Sequence, residues 1–177
     1  RFNLKGAIPG LDTGLYDLNR MLGGLQAGEL TVLAARPSMG KTAIGCNLVN
    51  KICLENKIPT LFVSLEMSGD ALCRRLLSSN QKVDMGALKR GDLSESDFAK
   101  TATFNKILKN SPLFIRESFK GMTGSEVAAV VRRYVKLHGV KFVVLDYLQK
   151  LKSDSKQEKR TYEVAEASGL LVDVTRD

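Results

Sequence analysis

The sequence predicts an α/β fold, a mostly parallel central sheet flanked by helices, on three observations. Short apolar runs alternate with longer amphipathic ones along the 177 residues. All but one of the apolar runs are almost continuously apolar, the pattern of a strand covered on both faces. Polar start signals of the capping-box type precede two of the amphipathic stretches, marking them as helices. Strands joined by helices in this way imply right-handed crossovers and helices on both sheet faces.

Taken in order, "IPGLDTGLYDLNRMLGGLQAGEL" reads as a leading segment within residues 1–28, where Asp12 can cap a short helix that Gly23 and Gly24 end. Residues 29–177 read as the core. Strands are predicted at Gly28–Ala35, Thr60–Glu66, Leu113–Ser118 and Val140–Leu148. Helices are predicted at Lys41–Asn56, Ser68–Gln81, Glu95–Lys109 and Glu126–Leu137. Ser94 stands three residues before Asp97, and Thr123 three before Glu126, the spacing at which cap and side chain exchange hydrogen bonds. "KLKSDSKQEKR", Lys150–Arg160, reads as a charged loop. A last helix follows, with Tyr162, Val164, Ala167, Leu171 and Val174 on one apolar face.

Composition narrows the function classes. A hydrophobic fraction of 44% supports an ordinary core. The net charge of +8 suits a polyanionic partner such as nucleic acid without requiring one. Cys46, Cys53 and Cys73 form no CxxC pair and no metal spacing, and are expected to be buried, reduced thiols. His138 is the single histidine, and neither a histidine-based zinc site nor a Ser-His-Asp triad is expected. No apolar run is long enough to span a bilayer, and the expected location is the cytoplasm.

The chemistry concentrates in "AARPSMGKTAIGCN". Ala35-Arg36-Pro37-Ser38-Met39-Gly40-Lys41-Thr42 follows the phosphate-loop pattern G-x-x-x-x-G-K-[ST] between a predicted strand and a predicted helix. The loop from Arg36 to Ala43, through the consecutive backbone N–H groups that follow Pro37 and aided by the positive end of the helix, is suited to curl around a phosphate chain. Gly40 lets the backbone approach, Lys41 brings a point charge to the β- and γ-phosphates, and the Thr42 hydroxyl can ligate Mg²⁺. Ala35 replaces the first glycine, and Pro37 presets φ and stiffens the loop.

A nucleotide site also needs an acid for Mg²⁺ and a group to orient and deprotonate water. "FVVLD" ends in Asp146, a carboxylate at the carboxyl end of a buried strand, where open α/β sheets place their ligands. The next residue is Tyr147 rather than a glutamate, so the base must come from elsewhere. Glu66, ending "TLFVSLE", lies on the same rim and is the candidate. Gln149 is a further candidate for the γ-phosphate.

"ARPSMGKT", "SLEMS" and "LDYLQ", in this order, resemble the motifs of the RecA-type motor domain of DnaB-type replicative helicases, and the similarity runs along essentially the whole chain. The resemblance implies a RecA-like core, ATP and Mg²⁺ as cofactors, and 5′ to 3′ translocation on single-stranded DNA by a ring hexamer. It assigns Lys41 and Thr42 to phosphate and Mg²⁺, Glu66 to the catalytic glutamate and Asp146 to the Walker B aspartate. Ala35 is usual in that family. The family continues into a glutamine sensor, DNA-binding loops and an arginine finger, and carries an amino-terminal domain that contacts primase. On that reading the chain is one portion of a motor, with primase and helicase loader engaged elsewhere. It is expected to hydrolyse ATP weakly alone, an arginine finger being worth roughly 10³ to 10⁵ in rate. A RecA-type recombinase, a nucleotide-binding interaction module without turnover and a small-molecule kinase are the alternatives. The basic residues Lys150, Lys152, Lys156, Lys159 and Arg160 flank the Asp146 loop and are candidates for DNA phosphates, with solvated faces the simpler reading.

Overall fold

The computed structural model describes residues 8–36, 38–151, 169, 172–173 and 175. Three strands, β1 (Thr60–Ser64), β2 (Leu113–Glu117) and β3 (Phe142–Asp146), form a parallel sheet in the order β2-β1-β3. Every residue of the central strand β1 is buried, as its unbroken apolar run predicts. The ladder aligns Ser64 with Glu117 on one side and with Asp146 on the other, so three strand ends share one rim.

Alternation along the strands divides the core in two. Phe62, Ile115 and Val144 face one layer, packed with α2 (Lys41–Val49), α3 (Gly69–Gln81) and α5 (Glu95–Lys109) through Cys46, Val49, Leu72, Leu76 and Phe104. Leu61, Val63, Phe114, Val143 and Leu145 face the other, covered by α6 (Gly124–His138) through Val127 and Val131. Gly45 lets α2 lie close to the sheet. A Cβ there would stand 3.5 Å from Val144 and 3.9 Å from the Phe62 ring. Both predicted capping boxes form: Ser94 and Asp97 start α5, Thr123 and Glu126 start α6. Because α6 supplies the main cover of the second layer, Thr123→Ala is expected to lower unfolding free energy by about 1 kcal/mol in urea melts.

The structure departs from the sequence reading at several points. The strand predicted at Gly28–Ala35 has no ladder partner among the described residues, and Val32 and Leu33 are 58% and 50% exposed. An apolar run favours burial, but pairing needs a neighbouring edge. Here Leu30 alone of the run joins the core, while the Ala35 and Arg36 carbonyls accept from the Lys41 amine instead of a strand. The helix predicted at Lys41–Asn56 is α-helical only to Val49, then winds more widely in π fashion over Asn50–Glu55. A short helix not predicted, α4 (Met85–Arg90), starts on the Asp84 side chain. β3 is half-buried rather than covered on both faces.

The leading segment carries α1 (Tyr16–Leu22), closed by Gly23 at φ 67°. Asp12 does not cap it; the N-cap is Leu15, which has no acceptor. Asp12 instead accepts from Gly14 N–H at 2.8 Å and Asn19 Nδ2 at 2.6 Å, and pairs with Lys51 at 3.7 Å. The Gly14 bond foremost, with Asn19 and Lys51, holds its carboxyl below the usual range. Buried Asn19 Oδ1 in turn takes Thr13 N–H and Thr13 hydroxyl at 3.0 and 2.7 Å. The predicted loop after Leu151 and the apolar face at Tyr162, Val164, Ala167, Leu171 and Val174 lie outside the described residues.

Candidate functional site: the rim at the carboxyl end of the sheet

The phosphate-loop pattern lies between the segment ending at Arg36, which pairs with no strand among the described residues, and the first turn of α2. Pro37 lies outside the described residues. Ser38 holds φ 63° and Gly40 φ 87°. Left-handed backbone is ordinary for glycine but costs a serine roughly 1 kcal/mol or more, and such strain concentrates where backbone N–H groups must converge on a ligand. Alternation of right- and left-handed residues turns successive N–H groups inward, the nest that binds anions. Gly40 is the N-cap of α2 and offers no side chain, so no cap acceptor takes the first free N–H groups of the helix.

Lys41 Nζ donates to the Ala35 carbonyl at 2.7 Å and the Arg36 carbonyl at 3.3 Å, and has no carboxylate ion pair among the described residues. Its charge therefore stands over the loop uncompensated. The Thr42 hydroxyl donates to Asp146 Oδ2 at 2.8 Å across 104 residues of sequence. Asp146 is buried, 7% exposed, and closes β3. A hydroxyl and a carboxylate brought together are hard oxygen donors, the chemistry Mg²⁺ prefers.

Glu66 follows β1 by two residues and is exposed, with no hydrogen-bond or ion-pair partner among the described residues. Its backbone is held against the same acid: Leu65 N–H donates to the Asp146 carbonyl at 2.8 Å. The structure thus joins Thr42 to Asp146, leaves the Lys41 amine on the Ala35 and Arg36 carbonyls, and sets Glu66 just past the adjoining strand end with no carboxylate partner among the described residues. Beneath α2, burial pushes the Cys46 thiol up to about 11, so it stays protonated at neutral pH. Cys53 is also buried and Cys73 half-buried, both free and both raised chiefly by burial.

Two features of the rim escaped sequence reading. Ser64, buried at the end of β1, clamps the following turn: its hydroxyl donates to the Met67 carbonyl at 2.8 Å and accepts Met67 N–H at 3.1 Å. Glu117, ending β2, accepts the Gly69 N–H at the start of α3. An acid closing "LFIRE" was the available signal, since it stands where Asp146 stands in "FVVLD".

A loop of this kind, docked through its hydroxyl on the acid of a parallel strand, is the arrangement of the P-loop nucleotide-binding domains. The model of the DnaB-like helicase C-terminal domain matches residues 10–177, and the chain belongs to that family. The replicative DNA helicase DnaB of Buchnera aphidicola subsp. Baizongia pistaciae is 38% identical over 172 residues, covering 96% of this chain and 37% of that protein. The replicative DNA helicase DnaC of Bacillus subtilis is 33% identical over 176 residues, covering 99% and 38%. The solved ATPase domain of G40P superposes with a TM-score of 0.87 at 27% identity, covering 98% of this chain and 62% of that one. A solved DnaB-like replicative helicase, described with its interactions with primase, superposes with the same score and identity and covers 98% and 42%. The chain spans little more than a third of the curated relatives it matches.

Proposed function

We propose that this chain is the ATP-hydrolysing motor portion of a replicative DNA helicase that moves 5′ to 3′ on single-stranded DNA as a ring hexamer. The observation that carries the reading is the bond from Thr42 to Asp146, which joins the phosphate loop to the strand-end acid at the rim where Glu66 also stands. Ser38 to Ala43 cradle the triphosphate through backbone N–H groups, with Arg36 at the loop's entry, and Lys41 places its amine against the terminal phosphates. Thr42 and Asp146 hold Mg²⁺, which when bound neutralises charge on the phosphate oxygens. Glu66 takes the proton of the attacking water, its unpaired carboxylate being the free acceptor at the rim. Primase and a loader engage parts of the protein outside this chain. No helix among the described residues is long and apolar enough to cross a membrane, and the proposed site of action is the cytoplasm.

The test is strand displacement from a forked duplex by the full-length protein. Unwinding that requires both ATP and Mg²⁺, and is lost in Lys41→Ala, is the expected result. Pairing of homologous strands without displacement would replace this reading with a recombinase.

A further inference from the structure

Glu66 sits on a turn of only four residues, Leu65 to Ser68, between the end of β1 and the start of α3. That turn is held from both sides by the last residues of the neighbouring strands. On the β3 side Leu65 N–H donates to the Asp146 carbonyl at 2.8 Å. On the β2 side Ser118 N–H donates to the Ser64 carbonyl at 3.0 Å, and Gly69 N–H donates to the Glu117 carboxylate. Ser68, the N-cap of α3, already uses its hydroxyl on Ala71 N–H at 3.2 Å and leaves the Gly69 N–H to Glu117. A carboxylate at the first turn of a 13-residue helix also gains from the helix dipole. Gly69 offers no side chain between them; a Cβ would lie 3.4 Å from Glu117 Oε2.

We propose that Glu117 is a positioning residue for the hydrolytic step: by anchoring the Gly69 N–H it fixes the turn that aims Glu66 at the attacking water. The proposal rests on the assignment of Glu66 as the base. Its kinetic consequence is specific, because among the described residues no hydrogen bond or ion pair of Glu117 reaches the Arg36–Ala43 loop or Asp146. Loss of the anchor leaves the nucleotide cradle intact and frees the α3 end of the turn, while the Ser64–Met67 clamp and the backbone bonds to Asp146 and Ser118 stay in place. Turnover falls while binding does not.

The experiment uses the full-length protein with Glu117→Ala, Glu117→Gln and Gly69→Pro. The glutamine keeps an acceptor oxygen. The proline removes the donated hydrogen instead, at the first helical position, where proline is favoured. Ser68 at φ −69° and ψ 154° already has the backbone a following proline needs. Glu117→Ala and Gly69→Pro are each expected to lower kcat roughly tenfold or more, as misplacement of a reacting group does, with the Kd for a non-hydrolysable ATP analogue within about twofold of wild type. Glu117→Gln is expected to recover most of the rate. Hydrogen exchange should speed up in the peptide covering the turn and stay unchanged in the peptide covering Lys41. A wild-type kcat in Glu117→Ala overturns the proposal, as does a loss of rate accompanied by an equal loss of nucleotide affinity and melting temperature, the mark of a merely structural acid. Glu66→Gln is assayed alongside. If it turns over at the wild-type rate, the base assignment itself has failed; if it is inactive while Glu117→Ala is unaffected, the positioning role alone has.

Discussion

Glu66→Gln in the full-length protein is expected to bind nucleotide normally and to lose ATP turnover by roughly 10² to 10⁴-fold, the range that removal of a general base produces. The substitution keeps volume and shape while removing the proton acceptor. On the proposed assignment binding rests on other residues: the backbone from Ser38 to Ala43, the amine of Lys41, and the Thr42–Asp146 pair joined at 2.8 Å. None of these draws on the Glu66 side chain, which has no partner among the described residues. Equilibrium binding of a fluorescent ATP analogue and steady-state phosphate release separate the two quantities. Turnover within about threefold of wild type would place the base elsewhere on the rim, since an effect that small lies below what general-base catalysis contributes.

The parts of this molecule legible in the sequence are those where one local pattern has one tertiary outcome. Thr60–Ser64 is apolar but for its polar ends, and a five-residue strand with that pattern is stable only in the middle of a sheet, where it lies. The Ser94–Asp97 and Thr123–Glu126 boxes satisfy local N–H groups with local side chains and need no neighbour to form. The meeting of Thr42 with Asp146 was legible because a loop of this pattern and an acid ending a parallel strand are both placed by the fold at the carboxyl rim of the sheet.

What stayed hidden depends on partners that sequence spacing does not specify. Residues 29–35 are apolar enough for a strand, yet their carbonyls and N–H groups find no ladder among the described residues, and at Ala35 and Arg36 the carbonyls serve Lys41 instead. The left-handed Ser38 is a conformation serine does not favour, so no propensity announces it; the loop imposes it. The helix Met85–Arg90 is too short for periodicity to register. Asp12 carries a capping side chain at the wrong distance, and its carboxylate is engaged by Gly14 and Asn19 before the helix begins. Glu117 meets the Gly69 N–H only because the register Ser64↔Glu117 brings the end of β2 beside the start of α3.

Lys41→Ala tests the cradle from the opposite side, and its expected effect falls on binding first. The amine lies over the loop at 2.7 Å from the Ala35 carbonyl, without a carboxylate partner among the described residues, so its full charge is available to a phosphate oxygen. A hydrogen bond to a charged group contributes about 1.5 to 3 kcal/mol, which corresponds to a loss of roughly 10- to 100-fold in nucleotide affinity. Fold stability should hardly change, because Lys41 buries no apolar surface in either core layer and releases only two carbonyls at an exposed site. Lys41→Arg is the informative companion. The guanidinium keeps the charge, but its planar fork is bulkier than an ammonium in a loop where Gly40 holds φ 87°. If charge alone sets affinity, arginine rescues binding; if fit to the nest sets it, arginine binds as poorly as alanine. Isothermal titration with ATP and Mg²⁺ decides between them, and an unchanged Kd in Lys41→Ala would remove the lysine from the phosphate site altogether.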